Sequence, residues 1–320
     1  MENTTRLLQR HEATLADHHV LIVEADDAGL ASLPARSLQL HSDDSSLPGR
    51  QPDWLPVLPE EADLVVIILP KSRDRLRLIL ASLAGQISQP LLVWLVGPTG
   101  GGIKGGATDL ASCADTVIAE DSARHCKLFS ARLRPAAFSL DSQRRQWGFD
   151  GLQIVSYPGV FSHGRLDDGS ALLLEVLAQK KLSGSALDIG CGAGVLSATL
   201  ARAELTVTAV DVSATAVAAT GETLHANGLQ AHVLAGDLYE PVTGRFDQII
   251  TNPPFHDGLQ RTTTISEQLI MQAPRYLKDG GRLILVANQG LPYEVWLNKA
   301  FSRVEVLAEN RRFRVWQAYR

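Results

Sequence analysis

Cysteine is scarce in this chain: Cys113, Cys126 and Cys191 are the only three among 320 residues, and no two stand at C-x-x-C spacing. That excludes a disulfide framework and a cysteine-based tetrahedral metal site, so no metal and a reducing cytoplasm are expected. Long hydrophobic runs are missing as well. The longest, at residues 64–69 and 91–96, fall far short of the roughly 20 residues that span a bilayer. The first residues carry Glu2, Arg6, Arg10 and Glu12 with no apolar run among them, so neither a signal peptide nor membrane attachment is expected. Nor is there an excess of positive charge. Thirty Lys and Arg stand against 35 Asp and Glu, a net of −5, which excludes a uniformly basic nucleic-acid coat.

What is present suits a folded, two-domain protein. Hydrophobic residues make up 45% and charged residues 20%, and 26 Gly with 15 Pro are too few for a low-complexity chain. Continuous apolar runs at 20–25, 64–69, 91–96 and 116–119 read as strands buried on both faces of a parallel sheet, with a crossover helix at 73–83. Residues 41–59, rich in Ser, Asp and Pro, read as a loop. The second half repeats the rhythm, with strands expected at 186–189, 206–210, 231–234, 248–251 and 282–287 and helices at 194–203, 214–226 and 266–276. The expected fold class is α/β: two tandem Rossmann-like domains with mostly parallel, doubly wound sheets, at 1–150 and 151–320.

A glycine loop opens the chemistry. Asp188-Ile189-Gly190-Cys191-Gly192-Ala193-Gly194 sits where a strand ends and a helix begins, and Gly190, Gly192 and Gly194 allow a sharp turn and close approach to a ligand. Nicotinamide, flavin and S-adenosylmethionine (SAM) folds all use such a loop. Asp188 separates them: a carboxylate before the glycines repels a pyrophosphate and suits a ligand bearing an ammonium and a sulfonium. Asp211, at the end of the next strand, stands where an acid binds ribose hydroxyls, a need that SAM and NAD share. Asp237 follows the third strand and is either an acceptor for an adenine amino group or a surface turn residue.

Asn252-Pro253-Pro254-Phe255 follows the fourth strand, at the carboxyl edge where open α/β sheets bind ligands. An exocyclic amine on a nucleobase is a poor nucleophile, because its lone pair is delocalised into the ring. Acceptors that hold its N–H groups turn the lone pair toward a methyl donor. The Asn252 side-chain oxygen and the Pro253 carbonyl can be those acceptors, the prolines stiffen the backbone, and Phe255 offers a stacking face. The alternative is a rigid turn with no chemistry. His163 and His256 lie near these segments, but methylation of this type needs no general base.

NPPF together with DIGCGAG resembles the class I SAM-dependent methyltransferases that act on planar sp2 nitrogens. Pro158-Gly159-Val160-Phe161-Ser162, Leu166-Asp167-Asp168-Gly169-Ser170, the run from Asn252 to Gly258, and Val286-Ala287-Asn288 with Leu291-Pro292-Tyr293 narrow the likeness. They are similar to the RsmC-type enzymes, which methylate guanine N2 in small-subunit (16S) ribosomal RNA. The resemblance is dense over 152–320 and thin before that. It implies two methyltransferase-like domains of which only the C-terminal one binds SAM. The residues agree, since the first half has strands but neither D-x-G-x-G-x-G nor NPP[FY]. It also implies a substrate of 16S rRNA, free or in a small-subunit assembly particle; a monomer is expected.

Positive charge is local. Residues 97–105 (GPTGGGIKG) fail as a P-loop, because Ile103 interrupts the motif and no Ser or Thr follows Lys104. This segment is either a flexible surface loop or an RNA-backbone contact through Lys104. Between Ser122 and Trp147, Arg124, Lys127, Arg132, Arg134, Arg144 and Arg145 face only Asp141, with Phe129, Phe138 and Trp147 interleaved. Such a mixture either grips RNA or forms a solvated face over core aromatics. Arg311, Arg312 and Arg314 alternate with Phe313 and Val315, a pattern that fits both RNA contact and a terminal strand with Arg outward. Three rival functions remain: methylation of adenine N6 or of a protein glutamine, an NAD-dependent oxidoreductase, and an inactive RNA-binding assembly factor.

Overall fold

The computed structural model describes residues 1–253 and 259–320, the side chains of 259–262 excepted. The chain divides into two units, Met1–Arg144 and Arg145–Arg320. In the first, six strands are formed: β1 (His19–Val23), β2 (Ser37–Leu40), β3 (Leu64–Ile68), β4 (Leu91–Pro98), β5 (Ile118–Ala123) and β6 (Cys126–Leu133). Their order is β2-β1-β3-β4-β6-β5. The first four are parallel and the last two antiparallel. Alternation along β1 and β3 feeds two cores: Leu21, Val23, Val65 and Ile67 pack on one face, Val20, Ile22, Val66 and Ile68 on the other. Helix Arg73–Ala84 begins where Ser72 caps Arg75 N.

The second unit opens with a hairpin, β7 (Arg145–Phe149) and β8 (Leu152–Ser156). A seven-stranded sheet follows, built from β9 (Ser185–Ile189), β10 (Thr206–Asp211), β11 (His232–Ala235), β12 (Phe246–Thr251), β13 (Leu277–Asn288), β14 (Arg303–Glu309) and β15 (Phe313–Tyr319). The order is β11-β10-β9-β12-β13-β15-β14, parallel through β13 with an antiparallel hairpin at the edge. From β9 the chain winds outward to β10 and β11, then returns to place β12 on the other side. The loops leaving β9 and β12 therefore diverge, and the gap between them is the switch point where such sheets bind ligands.

Several expectations need correction. Residues 116–119 are not a strand buried on both faces; the strand is Ile118–Ala123, an antiparallel edge with Ile118 53% exposed. Residues 97–105 are not one loop. Gly97 and Pro98 belong to β4, and a helix starts at Ile103 after Gly102 (φ +89°). The compact units divide between Arg144 and Arg145, and β7 pairs with β8 across Asp150 and Gly151, both at positive φ. Finally, the C-terminal strand does not simply alternate. Trp316 is buried along with Phe313 and Val315, since β15 lies between two neighbours in the sheet.

Candidate active site

The glycine loop leaves β9 on a backbone that only glycine adopts easily: Gly190, Gly192 and Gly194 have φ of +76°, +55° and +78°. A side chain at Gly190 would meet nothing nearer than the Asn252 carbonyl at 3.9 Å, so this stretch of backbone is open to a ligand. At Gly194 the reason is packing, because an added Cβ would lie 2.9 Å from Thr220 Cα. The turn is anchored from β10. Gly190 N and Cys191 N both donate to the Val210 carbonyl, at 2.8 and 3.1 Å. Thr220 Oγ1 donates to the Gly192 carbonyl at 3.1 Å, and Thr223 Oγ1 to that of Ala193 at 2.7 Å.

Asp188, Asp211 and Asp237 mark the carboxyl ends of three adjacent strands, β9, β10 and β11. Asp188 is buried and accepts from Ser197 Oγ at 2.5 Å. Burial pushes its carboxyl up to about 7; the Ser197 hydrogen bond opposes the shift and the Asp211 charge adds to it. Asp211 accepts from Gly192 N and from Ser213 N, both at 2.9 Å. Those two bonds hold the carboxylate at the strand end. Asp237 is exposed, in a turn where the Glu240 amide donates to its carbonyl.

Asn252 is the first residue beyond β12, across the switch point from the glycines. Its Nδ2 donates to Asp167 Oδ2 at 3.1 Å and to Ser170 Oγ at 2.8 Å. Its Oδ1 is buried and accepts nothing from the described residues. Asp167, Ser170, Asp188, Gly190, Gly192 and Asn252 line one cavity with Trp147, Phe161, Arg165 and Leu166. Pro253 is buried behind Asn252. Phe255 and His256 lie outside the described residues. His163 shares a 2.9 Å hydrogen bond with Ser156 Oγ and is not among the cavity's residues.

Trp147, Asp167 and Ser170 line the cavity without having been assigned to it by the sequence-based expectations. Trp147 there belongs to a basic stretch, but β7 carries it to the cavity, where its Nε1 is buried without a partner among the described residues. Asp167 and Ser170 could have been found from a local signal: an Asp three residues before a Ser at a helix start is an N-cap pattern. Asp167 does cap the helix Asp168–Ala178.

The basic residues are dispersed. Lys104 is exposed in the first turn of the helix Ile103–Cys113. Arg124 sits in the β5–β6 turn at φ +51°, Lys127 and Arg132 lie along β6, and Arg134 is 3.7 Å from Asp115. Arg144 ends the first unit and Arg145 begins the second, so the stretch is not one patch on one unit. Arg312 is exposed, pairs with Asp168 at 3.0 Å and covers the Phe313 ring, next to the Asp167 cap. Among the described residues no cluster of metal-binding side chains is present, and no helix is long and apolar enough to cross a membrane.

Comparison with known proteins adds to this geometry. A family model described as "Methyltransferase small domain" matches residues 151–317, and one described as "Methyltransferase small domain N-terminal" matches 5–146. The chain is 49% identical to a ribosomal RNA small subunit methyltransferase C of Alcanivorax borkumensis, over 99% of each sequence. Its counterpart in Photorhabdus laumondii is 36% identical, over 98% of this chain and 97% of the relative. Among solved structures, a T. thermophilus 16S rRNA N2 methyltransferase (RsmC), in complex with AdoMet and guanosine, superposes with a TM-score of 0.85. It is 25% identical, over 100% of this chain and 92% of that one.

Proposed function

The chain belongs to the ribosomal RNA small subunit methyltransferase C family, and from that membership we propose that it transfers a methyl group from SAM to the exocyclic N2 of a guanine in 16S rRNA. The observation that carries the reading is the Asn252 amide, whose Oδ1 is buried without a partner among the described residues, beside the glycine loop. A buried acceptor left unpaired costs about 1–3 kcal/mol, which a substrate amine donating to it would recover.

The cavity and the strand ends beside it suit SAM. Backbone left open at Gly190 and Gly192 admits its methionine end, Asp188 supplies a carboxylate for the ammonium, and Asp211 and Asp237, which follow the next two strands outside the cavity lining, offer acceptors to ribose and adenine. SAM supplies an electrophilic methyl on a sulfonium. The protein's part is to hold and orient. Asn252 Oδ1 and the Pro253 carbonyl accept the two N–H groups of the guanine amine, turning its lone pair toward the methyl, and Phe255 stacks on a base that has left its helix. The amine loses its proton to solvent after the new C–N bond forms, so no strong base is required.

The RNA itself is gripped elsewhere. Arg312 beside the cavity, and Lys104, Arg124, Lys127, Arg132, Arg134, Arg144 and Arg145, are the proposed phosphate contacts, with the first unit serving recognition and support. The protein acts as a monomer in the cytoplasm, on 16S rRNA either free or in an assembling small subunit. Replacing Asn252 by Ala abolishes turnover and leaves SAM affinity nearly intact, whereas Asp211→Ala weakens SAM binding. A turnover assay beside calorimetric SAM titration separates the two effects. Normal turnover by the Asn252 variant refutes the role assigned to it.

A further inference from the structure

The direction in which the Asn252 amide points is set from outside the catalytic tetrapeptide. Asp167 Oδ2 accepts from Ser170 N at 3.0 Å, capping the helix Asp168–Ala178, and the same oxygen accepts from Asn252 Nδ2 at 3.1 Å. Ser170 Oγ takes a second hydrogen bond from Nδ2, at 2.8 Å. A carboxamide nitrogen carries two N–H groups. Nδ2 is therefore saturated, while Oδ1 on the other side has no partner among the described residues. Turning the amide over would set Oδ1 against a carboxylate oxygen and leave the two N–H groups facing the cavity. The cap itself has little room to shift. A Cβ at Gly169 would come within 3.0 Å of Asp167 Oδ2 and 3.2 Å of Phe313 Cε1, so the helix start is pressed against β15.

We propose that Asp167 is a positioning residue for methyl transfer: through Asn252 it fixes which end of the amide meets the substrate amine, and its charge, drawing on Nδ2–H, makes Oδ1 a stronger acceptor. Asp167 touches neither the amine nor the methyl group; it acts through Asn252. This inference rests on the reading of the cavity as a site for the guanine amine.

Two variants of the full-length protein separate positioning from capping. Asp167→Ser keeps a good N-cap oxygen but is too short to reach Asn252, whereas Asp167→Asn keeps an oxygen for both partners and loses the charge. In Asp167→Ser, kcat at saturating SAM falls about 100-fold, the SAM dissociation constant stays within about twofold of wild type, and the melting temperature holds. Asp167→Asn recovers the rate to within about tenfold of wild type, the remainder being the loss of a charged acceptor. The side-chain amide resonances of Asn252, assigned by their disappearance in Asn252→Asp, shift upfield in Asp167→Ser as the hydrogen bond is lost. Wild-type kcat with unmoved resonances in Asp167→Ser overturns the proposal, as does a rate loss that tracks the melting temperature and is not rescued by Asp167→Asn. If the wild type methylates no guanine but the Asn252 resonances still move in Asp167→Ser, the hold of Asp167 on Asn252 stands and the guanine reading fails.

Discussion

Asp188 is a buried acid whose carboxyl titrates at about 7 in the fold against an ordinary 3.8. Between those two values the unfolded chain has lost a proton that the folded chain keeps. Stability is therefore greatest below about pH 4 and falls as pH rises through 7, by about 4 kcal/mol from this group alone. A ligand ammonium reverses the preference, because it favours the carboxylate. SAM affinity should thus tighten by up to about tenfold per unit between about pH 5 and 7 and level off above. Calorimetry across that range checks it, with Asp188→Asn expected to flatten the dependence. Asp188 and Asn252 were both legible in the sequence, since each stands in a short motif whose chemistry needs that residue type. Trp147 was not, because only the pairing of β7 with β8 brings it to the cavity.

Among the secondary-structure elements, the turn from β9 into the helix Val195–Arg202 bears the strictest backbone demand. Gly194 combines φ +78° with a Cβ position 2.9 Å from Thr220 Cα. Gly194→Ala should cost roughly 2 kcal/mol or more and lower the melting temperature by about 4–8 °C, with SAM affinity reduced as the loop shifts. Gly221 is the contrast. It lies in the helix Ala214–Ala226 with nothing within 4 Å of an added Cβ, so Gly221→Ala should stabilise by about 0.5–1 kcal/mol. Thermal unfolding of the two variants tests the pair. Parallel strands such as β1 and β3 were legible because burial on both faces leaves an apolar run. The antiparallel edge strands β5 and β14 were hidden, since an edge half open to water is written in polar and charged residues that also suit loops.

At the scale of the whole molecule, the two sheets repeat one winding but differ at the switch point. In the first unit that point follows β1, where the chain continues as Glu24-Ala25-Asp26-Asp27 in place of a glycine loop. Glu24 adopts φ +58° and receives Arg75 Nε and Nη2 at 3.1 and 2.9 Å. Arg75, only 3% exposed, also donates to the Trp54 carbonyl. Buried charge thus fills the place that the second unit leaves open. Glu24→Ala, which leaves Arg75 only Asp43 at 3.7 Å as a counter-charge, should destabilise the first unit by about 3 kcal/mol. Burial, with the Arg75 charge, holds His41 down to about 4 against an ordinary 6.5. Its contribution is complete above 6.5 and is lost as pH falls through 4, opposite in sign to that of Asp188. Hydrogen exchange on the full chain should show β1 and β3 losing protection between those values while β9 and β12 gain it. None of this was legible beforehand, because Arg75 reads in the sequence as an ordinary charge on a helix.

The most direct test of methyl transfer to guanine N2 is nucleoside mass spectrometry of 16S rRNA incubated with the protein and SAM, the rRNA taken from cells lacking this protein. One additional N2-methylguanosine per rRNA with the wild type, and none with Asn252→Ala, is the predicted result. A methyl group found on adenine or on ribosomal protein, or N2-methylguanosine formed equally well by the Asn252 variant, would contradict it.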